Sequence, residues 1–87
     1  MIKILFLMNQ QILISQIEEI GADIGEPDCK LVKPHIVTEY KEGTSTLTPF
    51  LYKVTKQDTF MMSSDKILTL ADPTPTLLEK YEDLIKE

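Results

Sequence analysis

The stretch at residues 59–72, TFMMSSDKILTLAD, decides how the rest of the chain is read. Two apolar runs, 59–62 and 67–70, flank the polar tetrad Ser63-Ser64-Asp65-Lys66. That pattern predicts a strand, a tight turn and a second strand, arranged as a hairpin or a sharply bent pair. After Asp72 the apolar spacing changes from two to about 3.6 residues. Asp72-Pro73-Thr74-Pro75 offers a capping side chain with proline just inside the first turn, which predicts a helix start. Leu77, Leu78, Tyr81, Leu84 and Ile85 then form one stripe, with charged residues off it. A helix of about three turns does not hold by itself in water, so it must dock.

Upstream, residues 2–8 predict a strand with two apolar faces, Ile2, Ile4, Phe6 and Met8 on one and Leu5 and Leu7 on the other. One face fills a core; the other needs the helix or a neighbouring subunit. Residues 11–20 predict a second strand with a bend or bulge, because period-two alternation breaks inside it. A helix is the competing reading there, since Leu13, Ile17 and Ile20 recur at helical spacing. Residues 21–28, with two glycines and a proline, read as a turn. Residues 29–37 predict a third strand in which Pro34, having no N–H, must sit at an edge or a bulge. The polar run 38–49, which includes Gly43, reads as a mobile hairpin connection, and 50–56 as the fourth strand.

Composition bounds the function. The 87 residues suit one domain, and a chain this short buries only about 60% of its unfolded surface, which makes association a common remedy. A hydrophobic share of 43% excludes disorder of the whole chain. The net charge of −5 argues against non-specific coating of nucleic acid. Arginine is absent, which removes the usual bidentate reader of phosphate and guanine. A single cysteine excludes an internal disulfide and a multi-cysteine zinc site. The N-terminal MIKILFLM is too short to span a membrane and lacks a cleavage region, so a cytoplasmic protein is expected.

No residue pattern spells out catalysis. His35 has no second histidine, and the acids Glu18, Glu19, Asp23, Glu26 and Asp28 match no calcium loop. Cys29 reads as a small buried hydrophobe. Met8, Met61 and Met62 read as filler, and Phe50, Tyr52 and Phe60 as core aromatics before base-stacking ones. The chain is therefore expected to be non-enzymatic and to need no cofactor or metal.

The strand order resembles that of the Sm-like (LSm) small barrel. Met62-Ser63-Ser64-Asp65-Lys66-Ile67-Leu68-Thr69-Leu70 looks like a degenerate copy of that family's closing motif. Glu26-Pro27-Asp28-Cys29-Lys30, followed by Leu31, overlies its first motif, with Lys30 where the family has asparagine and Ser63 where it has arginine. The chain as a whole is also similar to short Sm-like proteins attributed to marine phages of cyanobacteria. The resemblance implies a mainly β fold: a strongly bent five-stranded antiparallel barrel over 1–72, with the helix of 73–87 packed on the same domain. It implies a homo-oligomeric ring joined through the fourth and fifth strands. It further implies RNA or single-stranded DNA held by Lys30, Ser63, Ser64, Asp65 and Lys66. The other reading is a ring that serves as a structural or protein-interaction module, meeting a host or phage protein without nucleic acid. A phage origin would set it in the host cytoplasm.

Overall fold

The computed structural model describes residues 1–41 and 44–86; Glu42, Gly43 and Glu87 lie outside the described residues. The strands are β1 (Ile2–Leu7), β2 (Ile12–Glu19), β3 (Cys29–Lys41), β4 (Thr44–Pro49), β5 (Thr59–Met62) and β6 (Ile67–Ala71). A 3₁₀ turn (Ser64–Lys66) links β5 to β6, and α1 (Pro75–Ile85) follows. All ladders are antiparallel, and the sheet runs β4-β3-β2-β1-β6 with β5 also on β3.

β3 organises the sheet. One edge pairs with β2 from Ile36 opposite Leu13 to Cys29 opposite Glu19. The other edge is shared: β5 takes Cys29–Val32 and β4 begins at His35 opposite Pro49. Between these two partners lies a bulge, in which Lys33 and Pro34 stand against Ser15 alone. Lys33 has φ 52°, a left-handed conformation that turns the strand. Pro34 thus occupies the bulge its missing N–H requires.

The bulge also swaps faces. Cys29 and Leu31 before it, and Ile36 after it, face the cluster of Leu5, Leu7, Leu13 and Ile17. Phe50, Met62 and Ile67 pack on the same cluster, so the sheet curls over its own apolar side. The opposite face, Ile14 and Val37 with Ile2, Ile4, Ile12 and Leu47, receives α1 through Tyr81, Leu77 and Ile85. Those three helix residues recur every four positions and make a narrower stripe than the sequence suggests; Leu84 stays 52% exposed. Thr74 caps the helix, its Oγ1 accepting from the Leu77 N–H at 3.3 Å, with Pro75 at the first position. Asp72 instead pairs with Lys3 on β1.

Several expectations need correction. The sheet has six strands and does not close into a five-stranded barrel: β5 pairs with β3, β6 with β1, and no ladder among the described residues joins β5 to β6. Residues 38–41 and 44–49 are not a loose connection; β3 and β4 form a ladder through Ile36–Thr48, Val37–Leu47 and Thr38–Thr46. Their polarity hides strand-forming threonines. Residues 50–56 are a turn, not the fourth strand, because Leu51 adopts φ 59° and its carbonyl accepts from Val54 and Thr55. The chain must make that turn to step from β4 to β5 along one edge of β3. Among the described residues, no helix is long and apolar enough to cross a membrane.

Candidate functional site

The bulge that splits β3 also builds a concavity. The 50–58 segment folds back against it, with the Phe50 N–H on the Pro34 carbonyl (2.9 Å) and the Lys33 N–H on the Asp58 carbonyl (2.6 Å). Between that segment, the bulge and the end of α1 lies an open groove of about 510 Å³. This volume is within the range of small-ligand sites. Phe50 and Phe60, edge to face at 5.4 Å between centroids, supply aromatic wall, and Pro34, Pro49, Tyr52 and Leu84 extend it. Phe50 also packs on the main core cluster, so the wall is anchored in the core.

Three lysines and one aspartate charge the lining. Lys56 and Lys86 are exposed, while Lys33 extends its Nζ to the Ile85 carbonyl at 3.3 Å. Asp58 is the acid among them. A locally positive rim around an apolar floor is unusual on a chain of net charge −5. Beside Tyr52, the Lys53 ammonium lies 5.7 Å from the ring centroid.

His35 also lines the groove. Its Nδ1 is 3.0 Å from the Lys33 carbonyl, which can only accept, so Nδ1 carries a proton. The ring meets Tyr81 edge on at 5.6 Å. Behind it, the Tyr81 hydroxyl lies 2.8 Å from the Lys33 carbonyl and 3.2 Å from that of Val32, and accepts from the Gln16 N–H at 3.2 Å. Burial pushes the Tyr81 phenol above its ordinary pKa, against the opposing pull of Gln16 and Ser15. The buried Ser15 hydroxyl is shared between the carbonyls of Gln16 (2.8 Å) and Val32 (3.2 Å). Two hydroxyls therefore satisfy polar backbone that the bulge takes out of the ladder.

The residues singled out from sequence lie elsewhere. Lys30 is on β3, opposite Glu18 and Met61 and on the other face from Cys29 and Leu31. Ser63, Ser64, Asp65 and Lys66 form the corner between β5 and β6. The Ser64 amide and hydroxyl both donate to the Asp28 carboxylate, at 2.7 Å each. These bonds hold the Asp28 pKa below its ordinary value. The bonded carboxylate thus favours the folded state fully above the ordinary carboxylate range, and this contribution is lost as pH falls through the depressed value. Replacing Ser64 with alanine should move the Asp28 carboxyl titration upward in a carbon-detected NMR experiment. An unchanged midpoint would show that the corner is not held this way.

Cys29 is buried, and burial first, then the charges of Asp28 and Glu19, push its thiol pKa up, which makes it an inert core residue. Among the described residues no group of three or more His, Cys, Asp or Glu is placed to hold a metal ion. The groove was missed in the sequence because its parts are far apart along the chain. The one signal was Pro34 inside an apolar run, followed by the aromatic cluster of Phe50, Tyr52 and Phe60.

Comparison with known proteins corrects the family reading. The profile described as "Family of unknown function (DUF6561)" matches residues 1–86. No curated protein matches the chain. The Sm-like resemblance finds no support in either result. With the barrel open as well, the ring-forming, RNA-binding Sm-like assignment falls, along with the ring-shaped interaction module offered beside it.

Proposed function

We propose, for a chain that belongs to the family of unknown function DUF6561, that it is a small non-enzymatic binding module whose groove takes an acidic peptide segment through one apolar side chain. The observation that carries this reading is the juxtaposition of aromatic wall and lysine rim in a groove of about 510 Å³. An apolar anchor gains by leaving water against Phe50, Phe60 and Pro34. Flanking carboxylates gain from Lys56 and Lys86, which steer encounter more than they tighten the complex. His35 and Tyr81 hold their wall by mutual packing and backbone bonds, a supporting role and not a reactive one. A cytoplasmic setting suits the lone buried thiol of Cys29.

The test is an NMR titration of the ¹⁵N-labelled protein with a blocked peptide carrying one phenylalanine between glutamates. The amides of His35, Phe50 and Phe60 should shift, and binding should weaken as salt is raised. Tyr52→Ala should weaken it roughly tenfold or more, and Lys56→Glu should slow association. The same peptide with lysines in place of glutamates should bind poorly. Shifts confined to other surfaces, or none at millimolar peptide, would remove the groove as a peptide site.

A further inference from the structure

We infer that β6 is a self-association edge, through which two copies of this chain pair antiparallel about Thr69. This surface is separate from the groove, and neither proposal depends on the other.

Among the described residues, β6 is bonded to β1 on one side only. Strands exposed in this way are normally guarded by charge, proline, brevity or a bulge. β5 is only four residues long, and β4 carries Pro49 and three threonines. β6, Ile67-Leu68-Thr69-Leu70-Ala71, has no charge and no proline; its one irregularity is a register shift against β1 that leaves Leu68 without a partner there, and Leu68 is 57% and Leu70 50% exposed. Beneath it lies a cleft of about 290 Å³, lined by Ile17, Cys29 and Ile67 together with Glu19 and Ser64.

The charges on either side identify the occupant. Lys66 lies three residues before Thr69 and Asp72 three residues after it. In an antiparallel pairing of two copies centred on Thr69, Leu68 of one copy stands opposite Leu70 of the other. Lys66 of each stands opposite Asp72 of the other, and this happens twice by the two-fold symmetry. The strand is thus complementary to itself in both apolar content and charge. A one-residue slip would break both matches at once. Lys3 already touches Asp72 from β1, so the carboxylate is shared.

One strand pair covers less area than a standard interface, so the dimer should be weak, with a dissociation constant on the order of 100 μM. Sedimentation velocity from about 10 μM to about 1 mM should show a monomer passing to a dimer by mass action. Leu68→Lys should abolish the dimer. Lys66→Asp and Asp72→Lys, each combined with Lys3→Gln, should each weaken self-association roughly tenfold through like charges. An equimolar mixture of those two variants should dimerise again, since only the mixed pair has opposite charges at both ends. Recovery in the mixture supports the register and shows that both variants fold. A wild-type protein still monomeric at about 1 mM, a dimer indifferent to Leu68→Lys, or a mixture no better than its components would overturn the inference.

Discussion

Replacing Tyr81 with alanine is expected to remove about 3–5 kcal/mol of stability, a large part of what a domain this size holds. The side chain is fully buried, packs against Ile14 and Val37, and seats α1 on the sheet. Its hydroxyl also serves the bulge, meeting the carbonyls of Lys33 and Val32 and the Gln16 N–H. Tyr81→Phe separates the two contributions. It keeps the ring and takes from the Gln16 N–H its acceptor, which should cost about 1–3 kcal/mol, while the Lys33 and Val32 carbonyls keep His35 and Ser15. Urea unfolding followed by circular dichroism reads both values from the shift in midpoint at constant slope. If Tyr81→Phe were neutral, water or another group would have to satisfy the bulge, and the account of α1 as its closing piece would fail.

Leu31→Ala should be the next most damaging change, at about 2–5 kcal/mol. Leu31 is fully buried and lies at the register where β3 meets both β2 and β5, opposite Ile17 on one side and Phe60 on the other. The cavity left behind would loosen β5 first, because that strand is only four residues long and, among the described residues, pairs with β3 alone. Phe60 is a wall of the groove, so the damage should extend to binding. Hydrogen exchange should show amides of β5 losing protection ahead of those of β2. Uniform loss across all strands would mean that β5 is not the weak member and that the sheet opens as one unit.

The sequence made several strands legible because their signals are local. The apolar run of β1 and the turn at Ser63–Lys66 each report on a few neighbouring residues. The bulge expected in β2 lies instead in β3, because β2 breaks alternation by burying both faces. Pro34 forced a bulge or an edge, and a bulge is found. The helix was legible from its stripe, although Thr74 and not Asp72 caps it. Two capping side chains two residues apart cannot be told from one another by composition alone. The failures have a common cause. The 38–49 region was judged by polarity, whereas threonine in a hairpin is decided by its β-branch. The 50–56 region was judged by alternation, whereas φ 59° at Leu51 is set by the need to reach β5. Closure of the sheet depends on which distant edges meet, and no local pattern records that. The groove was hidden for the same reason, whereas Lys30 and Ser63–Lys66 were implied by the resemblance to the Sm-like motifs and do not line it.

Lys33 to His35, the segment from Pro49 to Phe60, and Leu84 to Lys86 contribute the walls of the groove, and more than fifty positions separate the first from the last. An excised fragment can therefore present one wall at most, and no short synthetic mimic of this chain will inherit the cavity. Occupancy of the cavity is accordingly a report on the integrity of the entire polypeptide: whatever is captured there is captured by an intact molecule, and a nick anywhere between β3 and α1 that let the pieces separate would release it.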